Sequence, residues 1–289
     1  MNMKTLVMVA CSGITSAFAP VSDANDIITS TPVTYMLSQQ LVQGTDIDVV
    51  YLPPKRYGIE RLTNWFASKG QQHAVEAGKQ ATVAITLGAI WPQDPTYVYA
   101  RQGNIHLIEI DASQAISPRA QGVAVLTLDK EEKSKYVWMN PTNLIRMAAI
   151  VGDDLQKVYP QYQAKIETNQ QALLLAIRTL INQQQAAIYA RNIDSVVLLS
   201  QALEDFAAGN QLFVVERQFK PELEWSEADK QALKALFEQD ETLWLVTDRR
   251  LSTELTALVP RERIWQIDVI ERWGSQGISV QAPLARWQL

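Results

Sequence analysis

Histidine, which serves both catalysis and metal binding, occurs only twice in this sequence, as His73 and His106. A histidine-based catalytic triad or a zinc hydrolase site would need at least one of them in a pocket. His73 belongs to the polar run Gly-Gln-Gln-His and His106 stands at the start of a predicted strand, so both are predicted to be peripheral. The sequence also lacks a phosphate-binding glycine pattern and a nucleophile elbow. These residues give no positive support for an enzyme.

The elements that would position a site alternate regularly along the first half of the chain. Thr31 and Pro32 suit the N-cap and first position of a helix, because proline is tolerated where its missing N–H is not needed. The alternation predicts a mainly parallel sheet covered on both faces. The predicted strands lie at 27–30, 47–52, 83–87 and 105–110, and the predicted helices at 32–41, 64–79 and 141–159.

A second, longer helix is predicted to begin at Pro160 and to end near residue 185. Roughly 25 residues at 1.5 Å each give a length of about 37 Å, enough to run across two lobes. The helix carries one apolar stripe at helical spacing, with polar residues between its members. The members of this stripe are Tyr162, Ile166, Leu173, Ile177 and Leu180.

The second half of the chain restarts the alternation, and a capping pair, Ser226 and Asp229, opens one of its helices. The sequence therefore predicts an α/β fold of two Rossmann-like lobes joined by one long connecting helix. The first lobe is assigned to 25–159, the connecting helix to 160–186 and the second lobe to 187–289. The strands of the second lobe are predicted at 195–199, 212–215, 242–246 and 264–267, and helices begin at 201 and 226.

The first 24 residues have the order of a secretory signal: Lys4, a short apolar stretch, then small residues for cleavage after Ala19 or Ala24. The protein is therefore expected in the periplasm. A lipoprotein site at Cys11 and a buried cytosolic strand are the alternatives. Cys11 is the only cysteine, so the processed chain can form no disulfide. No later stretch reaches the roughly 20 apolar residues that a membrane helix needs.

The formal charge of −5 and the pI near 5.2 exclude one class of partner. Without an excess of Lys and Arg, the chain has no general attraction for nucleic acid or for anionic membranes. We expect an acidic monomer that binds no nucleic acid.

Three separated segments resemble the metal-binding family of bacterial solute-binding proteins that serves zinc and manganese importers. TPVTY at 31–35 followed by YLPP at 51–54 is similar to the family's opening strand and helix and its two-proline loop. YVWMNP at 136–141 is similar to the family's His-x-Trp-x-Asp-Pro stretch, and the helix from Pro160 lies where the family has its connecting helix. The resemblance covers nearly the whole mature chain and implies the same two-lobed fold.

In that family, three histidines and one acidic residue hold a metal between the lobes. The resemblance places these ligands at Ile59, Tyr136, Ser200 and Asp268, so that three of the four have changed. Isoleucine offers no lone pair, and neutral tyrosine and serine hydroxyls are poor zinc ligands. The family's histidine-rich loop is also absent, because 118–133 contains no histidine. Asp268 is the one metal ligand that the resemblance leaves.

Neighbouring residues offer two alternatives. Glu60 and Tyr57, together with Asp268, would make an oxygen-rich site for a hard ion; otherwise Glu60 is a solvated carboxylate and Asp268 caps the end of a strand. Trp138 and Trp91 either pack in the core or stack on a flat ligand in the cleft.

The resemblance implies the solute-binding protein of an ABC importer, with a permease in the inner membrane as its partner. No cofactor is assigned; the cargo is a small solute or metal, either a divalent metal ion, a metal chelate or a small organic molecule. The alternative is a binding-deficient relative with a structural or regulatory role in the periplasm.

Overall fold

The computed structural model describes residues 26–115, 121–128, 131–274 and 277–287. The predicted signal segment at 1–24 lies outside the described residues. In the described part, two parallel sheets follow one another along the chain, and helices alternate with their strands. The predicted α/β class with two lobes is confirmed. No helix of this part is long and apolar enough to cross a membrane.

The sheet of the first lobe has four parallel strands in the order β2-β1-β3-β4. The central strands β1 and β3 are buried throughout, as expected where both faces are covered. Ile28 of β1 lies beside Val50 on one side and Ala84 on the other. The strands are β1 Ile27–Thr29, β2 Val49–Tyr51, β3 Val83–Thr86 and β4 Ile108–Asp111.

Several strand boundaries differ from the prediction by one or two residues, and the start of β4 differs most. β4 begins three residues later than the predicted 105–110, so His106 lies in the turn before it. There the amide N–H of His106 donates to the Asn104 side chain at 3.0 Å, an interaction that holds the turn.

Helix α1, Pro32–Leu41, begins as predicted, and the Thr31 hydroxyl accepts the N–H of Thr34 at 3.4 Å. The predicted helix at 64–79 is longer. It starts with α2 at Ile59, continues through a π turn, and ends as α3, because Ile59 and Leu62 extend the buried stripe upstream. The bounds are α2 Ile59–Trp65, the π turn Phe66–Gly70, α3 Gln71–Gly78 and the unpredicted α4 Thr96–Ala100.

Two long helices lie between the two sheets in chain order. α5, Pro141–Val158, is capped by the Asn140 side chain, which accepts the N–H of Thr142 at 3.0 Å. α6, Gln163–Ala190, has 28 residues and follows a 3-10 turn at Pro160–Tyr162. At 1.5 Å per residue α6 is about 42 Å long. The predicted apolar stripe is buried except for Tyr162, which is only partly covered in the 3-10 turn.

The second lobe has a parallel sheet in the order β6-β5-β7-β8. The predicted capping pair is confirmed: the Asp229 carboxylate accepts the N–H of Ser226 at 2.8 Å, and the Ser226 hydroxyl accepts the N–H of Asp229 at 3.2 Å. The remaining elements are β5 Ser195–Leu198, α7 Glu204–Gly209, β6 Phe213–Arg217, α8 Glu227–Gln239, β7 Trp244–Thr247, α9 Thr253–Leu258 and β8 Ile264–Gln266.

After β8 the chain returns to the first lobe. The Trp273 ring lies 4.9 Å from the ring of Tyr35 and 5.3 Å from that of Tyr51. The backbone N–H of Trp273 donates to the Lys55 carbonyl at 3.3 Å. Farther on, the Gln40 side chain donates to the Val280 carbonyl at 2.6 Å. We call this return, residues 267–274 and 277–287, the clasp segment. It ties the second lobe to the first by contacts far apart in sequence.

Candidate functional site: a cleft between the lobes

The cleft lies where the carboxyl ends of strands from both lobes meet, the usual position of ligand sites in open α/β sheets. The loop after β2 forms one wall, and the loops after β7 and β8 form the other. They enclose a cavity of about 930 Å³, within the range of small-molecule sites. Its lining residues are Lys55, Arg56, Asp248, Arg249, Arg250, Gln266, Asp268, Arg272, Gly274 and Arg286.

Two of the predicted site residues begin α2. The Ile59 side chain is buried in the core and points no donor at the cleft. Glu60 is exposed, and its carboxylate pairs with the Lys135 amine at 3.1 Å. Beside them, the Glu271 carboxylate fills the space next to Gly58 that a Cβ atom would need. The carboxylate at this loop therefore comes from Glu271 of the other lobe, and the loop contributes no ligand of its own.

Tyr136 is half-buried, and its ring packs against Trp138 with 5.3 Å between centroids. Burial raises the pKa of the Tyr136 phenol, and the carboxylates of Glu271, Glu60 and Asp248 raise it further. The phenol therefore stays protonated and does not serve as an anionic metal ligand.

The hydroxyl of Ser200 donates to the Asp248 carboxylate at 3.1 Å and accepts the N–H of Ala202 at 3.4 Å. Ser200 thus caps the 3-10 turn after β5 and orients a carboxylate that lines the cavity. Because Asp248 also acts on the Tyr136 phenol, the structure brings Ser200 near Tyr136. Ile59 contributes only to packing.

Asp268 is held by an arginine. The Arg286 guanidinium donates to both carboxylate oxygens of Asp268 at 2.8 Å, and the Ile270 N–H donates to one of them at 2.8 Å. Arg286 also donates to the carbonyls of Arg272 and Trp273, at 3.0 and 3.1 Å. A bidentate pair of this kind is among the strongest side-chain hydrogen bonds in proteins. The oxygens that the resemblance offers to a metal are thus engaged by a permanent cation.

Glu271, like Asp248, is a carboxylate of the cleft that was not predicted from the sequence. Burial raises the pKa of Glu271; Asp248 and Glu60 raise it too, while Arg272 and Arg61 act in the opposite direction. The carboxylates repel one another, and no group of three or more His, Cys, Asp or Glu within the described ranges is arranged to hold a metal ion.

The other candidates lie away from the cavity. His73 and His106 are exposed and absent from its lining, and the Nδ1 of His73 lies 2.8 Å from the Lys69 carbonyl. Trp91 and Trp138 are buried, as packing in the core requires, and the Trp138 indole N–H donates to the Val269 carbonyl at 2.9 Å. Neither tryptophan presents a face for stacking on a ligand in this cavity.

One feature of the sequence could have predicted the arginines that line the cavity after β7. Asp248, Arg249 and Arg250 directly follow the predicted strand at 242–246, and the end of a parallel strand is where ligand residues are expected. Arg286 carried no such signal, because no predicted element positions it.

The described chain forms two lobes, each built on a parallel β-sheet, and two long helices lie between the sheets in chain order. With a cleft at the strand ends, this is the architecture of a two-lobed binding protein. Residues 27–277 match the family model described as ZnuA, zinc-uptake complex component A, periplasmic. The chain belongs to this family of solute-binding proteins of metal ABC importers, whose members are transport components and not enzymes. The family resemblance of the sequence is confirmed.

Solved structures share the fold. A ZnuA structure is 18% identical with a TM-score of 0.61, covering 86% of this chain and 92% of that one. The metal-dependent lipoprotein YcdH from Bacillus subtilis is 14% identical with a TM-score of 0.67 (86% and 89% covered). FpvC from Pseudomonas aeruginosa, solved in complex with Ni²⁺, is 14% identical with a TM-score of 0.63 (91% and 92% covered). No curated protein matches the chain.

Proposed function

We propose that the chain is the extracytoplasmic solute-binding protein of an ABC importer and that its metal site is degenerate. In this proposal the segment 1–24 directs export to the periplasm, and the protein acts as a monomer that delivers cargo to a permease in the inner membrane. The cargo is a metal chelate or another small solute, rather than a bare divalent ion such as the Ni²⁺ bound to FpvC.

The observation that carries the proposal is the bidentate pair of Asp268 with Arg286. A divalent ion would have to displace a guanidinium from both carboxylate oxygens. The other three positions offer a buried isoleucine, a protonated phenol and a serine hydroxyl bonded to Asp248. Zinc prefers imidazole, thiolate and free carboxylate ligands, and this set supplies none of them.

Calorimetric titration of the mature protein with zinc and manganese tests the degenerate site. We expect no submicromolar binding by the natural sequence. The triple variant Ile59→His, Tyr136→His, Ser200→His is expected to gain zinc affinity, and adding Arg286→Gln is expected to increase it further by releasing Asp268. Tight zinc binding by the natural chain would refute the degenerate site.

The same four positions also favour one alternative, a binding-deficient relative with a structural or regulatory role in the periplasm. Thermal unfolding with anionic, neutral and cationic small solutes separates the two. Cargo bound at saturating concentration raises stability by RT ln(1 + [L]/Kd), several kcal/mol, whereas the alternative predicts no shift with any solute.

A further inference from the structure

The cleft collects positive charge in a protein that is negative overall. Six of the ten residues that line the cavity are Lys or Arg and two are Asp, a formal balance of +4, whereas the whole chain carries −5. The adjoining recess adds one carboxylate, Glu271, which lowers the balance to +3. These cations are exposed at the cavity surface, apart from Arg249 and Arg286, which are partly buried, and like charges gathered around one cavity attract a counter-charge into it.

Five of the six cations form no ion pair among the described residues, although Arg272 interacts electrostatically with Glu271. Arg286 is paired with Asp268, but none of the ion pairs found among the described residues involves a cation from the rest of the lining. These five residues, called here the basic lining, are Lys55, Arg56, Arg249, Arg250 and Arg272.

Neutral groups hold two of these cations in place. The Arg249 guanidinium donates to the carbonyls of Phe219 and Lys220 at 2.7 and 3.0 Å, which fixes its position without neutralising it. The Lys55 amine lies 4.4 Å from the centre of the Trp273 ring. Cations positioned in advance lose less conformational entropy when they bind an anion.

The basic lining comes from both lobes. Lys55 and Arg56 follow β2 of the first lobe, and Arg249, Arg250 and Arg272 follow β7 and β8 of the second. A small ligand with several acidic groups would therefore contact both walls at once. Guanidinium groups favour carboxylate and phosphate oxygens, which they bind with paired hydrogen bonds.

We propose that the cleft is an anion site, and that its cargo is a small polyanion that presents carboxylate or phosphate oxygens to the basic lining. The polyanion enters either free or as the ligand shell of a negatively charged metal chelate. This inference rests on the proposed function, because it names the chemical class of the cargo for the same cleft.

Titration of the mature protein in a low-salt, metal-free buffer tests the inference, with intrinsic tryptophan fluorescence and calorimetry as readouts. The probes are citrate, ferric citrate, pyrophosphate, zinc chloride, neutral maltose and cationic spermidine. We expect at least one of the anionic probes to bind, and its affinity to fall at least tenfold between 20 and 200 mM NaCl, as several phosphate or carboxylate contacts would require.

Arg250→Gln and Arg272→Gln remove charge from side chains that make no hydrogen bond among those found in the described structure, so both variants are expected to fold. Each should weaken anion binding about fivefold to tenfold. Arg178→Gln, on the exposed face of α6, is the matched control and should leave binding unchanged.

The outcomes separate the two sources of the anion and the two proposals. Binding of citrate or pyrophosphate supports a free polyanion, and binding of ferric citrate alone supports a chelate, provided that both arginine variants weaken it. Binding of maltose or spermidine that ignores both variants would overturn the anion site while leaving a solute-binding protein. Absence of binding by every anionic probe would overturn the anion site and leave the proposed function to the thermal unfolding test, whereas tight binding of zinc chloride would overturn the degenerate metal site.

Discussion

At Asp268 two cations compete for the same oxygens: a guanidinium that is always present and any metal ion from solution. Arg286 is largely buried, with 8% of its side chain exposed, and Asp268 is 41% exposed. Removal of one partner leaves the other poorly solvated, which costs more than the pair contributes. The family resemblance placed Asp268 in the cleft, but its pairing was not predictable, because Arg286 lies 18 residues away outside any predicted element.

Arg286→Gln is expected to lower the free energy of unfolding by about 2 kcal/mol, less than for a fully buried pair because Asp268 is partly hydrated. Chemical denaturation measures the change. The double variant with Asp268→Asn is expected to be more stable than Arg286→Gln alone, since it leaves no unpaired carboxylate. Equal stabilities of the single and double variants would contradict the coupling.

Asp205 is a buried carboxyl whose ionisation affects stability. It is fully buried, and neither carboxylate oxygen has a hydrogen-bond partner. Burial raises the pKa of Asp205 from 3.8 to about 6; the nearby Ser134 hydroxyl lowers it, and Glu204 raises it. The Ser134 hydroxyl also accepts the N–H of Tyr136, at 3.2 Å. Ionisation of this buried carboxyl, which lies beneath the Tyr136 segment, therefore costs free energy.

Because its folded pKa is raised, the contribution of Asp205 to stability is complete below pH 3.8 and is lost as the pH rises through about 6. Asp205→Asn should therefore be more stable than the natural chain at pH 7.5, by about 2 to 3 kcal/mol, and no more stable at pH 4. Urea unfolding at the two pH values measures this. Exposed Asp194→Asn is the control, and an equal gain at both pH values would contradict the ionisation.

At the scale of elements, most strands and helices were predictable because buried parallel strands are short apolar runs and α6 has a clear stripe. The helices α4 and α9 were not predicted, since their five and six residues are too few to show a helical period. The close approach of α3 and α4 was also not predictable, because no sequence pattern indicates it. At Gly78 an added Cβ atom would overlap the backbone carbonyl of Ala100.

Gly78→Ala tests that close approach. Alanine normally stabilises a helix by about 1 kcal/mol relative to glycine. Here the overlap with fixed backbone should reverse the sign and destabilise the protein by about 2 kcal/mol. Gly88→Ala, whose added Cβ would meet the nearest atom, a carboxylate oxygen of Asp111, at 3.4 Å, should have little effect. A Gly78→Ala protein that melts higher than the natural one would show that α3 and α4 are farther apart.

At the scale of the molecule, two sheets and a connecting helix followed from the alternation of elements, but the return of the clasp segment did not. Its hydrogen bonds join residues 131 and 240 positions apart, from Trp138 to Val269 and from Gln40 to Val280. Contacts at that separation leave no local pattern in a sequence. They also bring Trp273 against Tyr35 and Tyr51, so the width of the cleft depends on the clasp segment.

Trp273→Ala is expected to destabilise the protein by about 3 kcal/mol and to let the lobes move apart. Small-angle X-ray scattering should show a larger radius of gyration in the folded protein. The matched control is Trp225→Ala, because Trp225 is buried in a core cluster of the second lobe alone. It should lower stability without a change in radius, and equal radii for both variants would refute the role of the clasp segment.

The Arg286 guanidinium supplies from within the chain the positive charge that a metal ion would supply from solution. It is covalently part of the chain and cannot be released, so the charge on Asp268 is balanced whether or not ions are present outside. If the metal site is degenerate as proposed, the cleft keeps the same resting shape in metal-poor and metal-rich surroundings. Its conformation would then respond to the cargo that the basic lining is proposed to attract, and not to the supply of metal.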